Sequence, residues 1–178
     1  ALDRDHRKFD ILVELKKKMF GLPAATLSAV AHDAGRATEQ LQTVAETAAR
    51  RNLRVAVEPI AHGPALRGVA DVWTVVQRAK HPHLGLLLDS YQALSAGEDL
   101  SEIRNNHGNR IYFVRVGDAR HPGWDGVRGG FHRNFPGQGD LDLVGFLEQV
   151  LLTGYTGTLS LASFDDVLRA TPSRRTGI

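Results

Sequence analysis

The chain has 178 residues, 42% hydrophobic and 24% charged, enough apolar material for one sizeable core. Its 22 lysines and arginines against 20 acids leave a formal charge of +2, without the strong positive balance and interleaved aromatics of a nucleic-acid face, and no apolar run reaches the roughly 18 residues of a membrane span. Having no cysteine, it has no disulfide framework, thiolate nucleophile or Cys-based zinc site, and its charged N-terminus lacks the apolar segment of a signal peptide, so the expected compartment is cytoplasmic.

The elements follow in chain order. Phe9, Leu12, Val13 and Leu15, spaced among charges, predict a helix over residues 5–19, stopped by Gly21, with Lys16-Lys17-Lys18 placed at its C-terminal end where cations oppose the dipole. The apolar stretch 22–29 predicts a strand, and Asp33-Ala34-Gly35 a turn. The Ala, Leu, Glu and Gln pattern of 37–51 predicts a second helix, and Arg54-Val55-Ala56-Val57-Glu58-Pro59 a strand closed by proline. Residues 69–80 read as an amphipathic helix, 84–89 as an almost wholly apolar strand, and 100–105 as a short helix. A strand over 110–117, a helix over 141–153 and a strand over 158–162 complete the pass.

Strands alternating with helices at this spacing imply a parallel sheet, and a run such as Leu84-Gly85-Leu86-Leu87-Leu88 fits a strand buried on both faces. No glycine-rich phosphate loop follows the first strand, which argues against a doubly wound dinucleotide fold. Glu58, Asp89, Asp118 and Ser163 each fall at or just past the C-terminal end of a strand, where a TIM barrel gathers its active site. Five strands are fewer than the eight such a barrel needs. The expected fold is therefore an α/β (β/α)8 barrel of which the chain, as one domain over residues 1–178, holds the C-terminal portion, strands 4–8. The loop 118–140, with Trp124, two histidines and the run from Phe131 to Gly139, is long enough to read as functional.

Five segments then carry a resemblance. Val57-Glu58-Pro59, Leu88-Asp89-Ser90-Tyr91, Val114-Arg115-Val116-Gly117-Asp118-Ala119, His132-Arg133-Asn134-Phe135-Pro136-Gly137-Gln138-Gly139-Asp140 and Gly154-Tyr155-Thr156-Gly157-Thr158-Leu159-Ser160-Leu161 stand in the order seen in the sugar phosphate isomerase/epimerase, or xylose-isomerase-like, TIM barrels. Within these the chain most resembles bacterial 3-dehydroshikimate dehydratases, over residues 7–168. The resemblance implies a lyase or isomerase acting on a small anionic or polyol ligand. It also implies one divalent cation (Mg, Mn or Co) held by Glu, Asp, Gln or His, and Glu, an oxygen-rich set that suits hard cations.

Carried over by position, Glu58 and Asp89 match the first two metal ligands, whereas Arg115 stands at the third and Ala162 at the fourth. Gln92 replaces the expected histidine after Asp89. The metal site is thus read as degenerate, with Arg115 as an internal substitute for the cation, paired to Glu58 or Asp89. Glu58, Arg115 and His132 are the catalytic candidates, and Arg133, Gln92, Asp118 and His62 the substrate-binding ones. Bland alternatives stand beside them: Asp118 as the cap of the next turn, His62 as a structural histidine, and His132 and Arg133 as solvated loop residues. His81, His83 and His107 lie away from the strand C-terminal ends and receive no role. An active lyase, a non-catalytic pseudoenzyme and a structural module of a larger fused protein all remain open, the last with a homo-oligomer or a missing N-terminal part of the barrel as partner.

Overall fold

The computed structural model describes residues 2–14, 19–23, 34–61, 66–95, 97–105, 108–120 and 133–163. Helix α1 (Leu2–Glu14) leads to strand β1 (Met19–Pro23), α2 (Ala34–Ala49), β2 (Arg54–Glu58), α3 (Val69–Ala79) and β3 (Leu84–Asp89). There follow α4 (Ser90–Ser95), two 3-10 turns (Leu100–Asn105 and Gly108–Arg110), β4 (Ile111–Val116), α5 (Leu143–Leu152) and β5 (Leu159–Leu161). The five strands form one sheet in sequence order, and each pairs with the next in parallel. Parallel neighbours require a crossover, and the helices between strands supply it.

The helices form because their apolar residues recur at helical spacing. In α2 the buried set is Ala37, Leu41, Val44, Ala45 and Ala48, and in α3 it includes Val69, Val72, Trp73 and Val76, each a stripe along one side. The α3 N-terminus is held from a distance: the Glu98 carboxylate accepts from Val69 N at 2.9 and 3.0 Å. The helix ends at Lys80, whose φ of 48° turns the chain left-handed. Among the described residues no helix is long and apolar enough to cross a membrane.

Alternation along the strands assigns their two faces. Val55, Val57, Leu84, Leu86, Leu88, Ile111, Val114 and Val116 join the cluster formed with the helices. The intervening residues Ala56, Glu58, Leu87, Asp89 and Arg115 do not, so they occupy the opposite, inner face. A one-residue slip between Leu86 and Leu87 in the β3–β4 ladder sets Asp89 beside Arg115.

Several elements differ from the sequence reading. The first helix ends at Glu14, and Met19–Pro23 is a strand, so Gly21 lies inside β1 and does not stop a helix. Gly21 pairs with Ala56 in the β1–β2 ladder, and a Cβ there would make only an ordinary contact of 3.5 Å with Leu87 Cδ1, so the position is open to a strand residue. Of the strand expected over 22–29 only its first two residues are strand, and residues 24–29 lie outside the described residues, as does the lysine run. Ala34 and Gly35, read as part of a turn, begin α2, and α4, which was not expected, continues directly from β3.

Candidate functional site

Three parallel strands deliver three charged side chains to one end of the inner face. Glu58 ends β2, Asp89 ends β3, and Arg115 is the register partner of Asp89 on β4. Both carboxylates are withdrawn from water, with Glu58 6% and Asp89 2% exposed. An isolated buried carboxylate costs several kcal/mol, so each requires a positive or hydrogen-bonding partner. Arg115 serves both: its Nη2 donates to Glu58 Oε1, and its Nε makes an ion-pair contact of 3.0 Å with Asp89 Oδ2. The pairing expected from the sequence is what the geometry holds.

Arg133 arrives from a loop and completes the cluster. Its Nη1 donates to Asp89 Oδ2 at 2.6 Å, and its guanidinium carbon lies 4.6 Å from the centre of the Tyr91 ring. The residue is buried, and its carbonyl accepts from Ser163 Oγ at 3.1 Å. It thus binds Asp89 from within and is not a solvated loop residue. Burial pushes the Glu58 carboxyl above its ordinary value, with Asp89 adding to the rise and Arg115 opposing it. Burial also raises the Tyr91 hydroxyl, which Arg133 opposes.

Asp118 behaves differently. Its Oδ1 accepts from Ala119 N at 2.8 Å and Leu141 N at 3.2 Å, and its Oδ2 from Gly137 N and Gly139 N, both at 2.9 Å. Its backbone forms an antiparallel bridge with Asn134. Gly137 has a φ of 86°, which favours glycine, and a Cβ on Gly139 would strike Asp118 Oδ1 and the Ala119 carbonyl. Read in the sequence as a ligand contact or as the cap of a turn, Asp118 accepts from its neighbour Ala119 and from three backbone N–H groups of the segment that follows Arg133. Gln92 likewise turns inward to structure: its Oε1 accepts from Ala61 N at 3.0 Å, tying α4 to the segment after β2.

The remaining candidates separate. Ala162 is buried beyond β5, where its N–H donates to the Val116 carbonyl at 2.9 Å, so it offers no ligand atom from its side chain. His62, His132, His107 and Trp124 lie outside the described residues. His81 and His83 precede β3, at the end of the sheet away from Asp89, and His83 Nδ1 lies 2.7 Å from the Leu53 carbonyl. Two contributors carried no role in the sequence reading. Tyr91 supports Arg133, and Ser90 Oγ donates to the Gly117 carbonyl at 2.7 Å while accepting from Gly117 N at 2.9 Å. The signal for both was their place in the Leu88-Asp89-Ser90-Tyr91 segment, directly after a strand-end aspartate.

The described residues do not fit a divalent cation. A hard dication seeks about six oxygen ligands, whereas no group of three or more His, Cys, Asp or Glu that would hold a metal occurs among the described residues. The two carboxylates that face each other are already occupied by guanidinium groups. A dication placed about 4 Å from a fixed guanidinium charge would meet a repulsion of roughly 8 kcal/mol at an effective dielectric of about 20.

Residues 1–177 match the family model described as the xylose isomerase-like TIM barrel. The chain belongs to that family. It is 39% identical over 175 residues to the 3-dehydroshikimate dehydratase of Pseudomonas putida, covering 98% of this chain and 28% of that protein. Among solved structures it superposes with a TM-score of 0.89 and 39% identity on a xylose isomerase-like TIM barrel/4-hydroxyphenylpyruvate dioxygenase fusion protein, over 98% of this chain and 28% of that one. A zinc-bound IolI protein shares the fold at a TM-score of 0.81 and 17% identity, over 92% of this chain and 60% of that one. The chain thus spans little more than a quarter of the length of the dehydratase and of the fusion protein. Its five-stranded parallel sheet is part of a xylose isomerase-like barrel.

Proposed function

We propose that the strand-end site takes a small polyhydroxylated carboxylate, and that the chain forms part of a lyase of the 3-dehydroshikimate dehydratase type whose divalent-cation site is degenerate. One observation carries this reading: the Arg115 guanidinium stands between Glu58 and Asp89, joined to both. Loss of water beside a carbonyl needs a base for the carbon-bound proton and a positive group for the developing enolate oxygen. Glu58, raised by burial, suits the base, and Arg115 supplies the charge. The C–H electron pair forms the enolate, and its return expels the neighbouring hydroxyl. That hydroxyl leaves as water with the proton Glu58 had taken. Arg133 and Tyr91 hold Asp89 in place behind this pair. His132 and His62 are further candidates for proton transfer and substrate contact. The cysteine-free composition supports a cytosolic compartment.

A second reading, a non-catalytic binding module of a longer protein, is favoured by Arg115 and Ala162 at two of the four positions where the resemblance expects ligands. An assay with 3-dehydroshikimate in EDTA, following the ultraviolet absorbance of the dehydrated product, separates the two. The lyase reading expects turnover that survives chelation and is lost in Glu58→Gln. Absence of turnover both in EDTA and with added Mn would overturn it and leave the binding module.

A further inference from the structure

Arg115 has more donors than its two acidic partners use. Nη2 is taken by Glu58 and Nε by contact with Asp89, whereas among the described residues no hydrogen bond or ion pair engages Nη1. The side chain is 26% exposed, against 8% for Glu58 and 0% for Asp89, so the guanidinium forms the outermost layer of the cluster. Behind it, Asp89 is already shared with Arg133, which is buried beneath it. One edge of a rigid planar cation is therefore fixed by two carboxylates and another is presented toward solvent at the mouth of the inner face. Glu58 and Asp89 hold the fork in place, so it loses little rotamer freedom when it binds a planar anion.

We infer that the exposed Nη1 edge of Arg115 is a carboxylate receptor, and that this guanidinium does here, without metal, what a bound cation does elsewhere: it neutralises Glu58 and Asp89 on one side and receives the anionic oxygens of the ligand on the other. The inference rests on the site reading above and deepens it by naming the recognised group and the residue that recognises it. A flat carboxylate fits the edge formed by Nη1 and the second N–H of Nη2, with one hydrogen bond from each, which a hydroxyl or an ester does not match. Lysine at this position would keep the charge and lose the fork.

The test is calorimetric titration of the intact protein in EDTA with shikimate, a hydroxylated ring carboxylate, and with its methyl ester, which keeps the ring and hydroxyls and loses the charge. The inference expects shikimate to bind without added metal and the ester to bind at least tenfold more weakly. Arg115→Met should lose shikimate affinity by tenfold or more, and Arg115→Lys by an intermediate factor, with the preference for acid over ester narrowing in both. Arg115→Lys keeps a cation against Glu58, so it remains informative if Arg115→Met does not fold. Equal affinity for acid and ester, equal affinity in wild type and Arg115→Lys, or binding that requires Mn would overturn the inference while leaving a ligand site in place. Binding of neither compound would overturn the site reading itself.

Discussion

Two aspartates end neighbouring strands of the same sheet, and they are satisfied in opposite ways. Asp89 meets its burial mainly with charge, from Arg115 and Arg133, beside one backbone N–H from Gln92 at 3.2 Å, whereas Asp118 meets it with four backbone N–H groups of the segment 119–141. Side-chain partners can exchange for a ligand without unfolding anything. Backbone partners cannot, because releasing Asp118 releases the loop. The centre of the mouth is thus a charged cluster with a half-buried cation at its front, and its rim is a pinned loop that delivers Arg133. The same residue type at the same topological place serves ligand chemistry in one case and loop architecture in the other.

Removing the rim anchor should have the largest effect. Asp118→Ala strands four buried or half-buried N–H groups, and we expect a loss of about 3–5 kcal/mol in urea unfolding. A loss below about 1 kcal/mol would dissolve the distinction between rim and centre. Disturbing the centre should cost less, because water reaches part of it. Arg115→Met leaves Glu58 without its principal partner, at an expected cost of about 2–4 kcal/mol at neutral pH.

That second loss should depend on pH in a defined direction. Burial already raises the Glu58 carboxyl above 4.5, and without Arg115 the main opposing influence is gone. The folded state then holds a proton that the unfolded chain has released, so stability falls as pH climbs from 4.5 through the raised value. The deficit of Arg115→Met should therefore shrink as pH is lowered toward 4.5, as read from urea midpoints across that window. A deficit that does not change with pH would mean that Glu58 does not titrate with the pair.

Much of the centre was legible in the sequence because apolar strand runs mark their own ends. Glu58 and Asp89 follow Val55-Ala56-Val57 and Leu84-Gly85-Leu86-Leu87-Leu88, and the resemblance, carried over by position, puts Arg115 with them. The rim was not legible. Arg133 finds Asp89 at a separation of 44 residues, and the acceptors of Asp118 are filled by backbone groups that carry no side-chain signature. The Phe131–Gly139 run did mark a functional loop, but nothing local says that its glycines clear space for Asp118. The early strand was misplaced for a related reason: Gly21 resembles a helix stop, and only its long-range pairing with Ala56 makes it part of β1.

Smaller changes sharpen the comparison at the border between centre and rim. Ser90→Ala removes both hydrogen bonds to Gly117 and should cost about 1–2 kcal/mol, while leaving the charged cluster and its ligand affinity intact. Gln92→Ala frees only Ala61 N, and the expected loss is about 0.5–1.5 kcal/mol by the same unfolding measurement.

The claim that a guanidinium occupies the place of a cation is tested most directly by metal content and Mn titration of the intact protein, purified without chelators, as wild type and as the double substitution Arg115→Gln with Ala162→Glu. The wild type should carry no stoichiometric metal and bind Mn only at millimolar concentration, while the double variant, with two oxygen donors restored beside Glu58 and Asp89, should bind one Mn per chain at least a hundredfold more tightly. Stoichiometric, micromolar Mn binding by the wild type would contradict it.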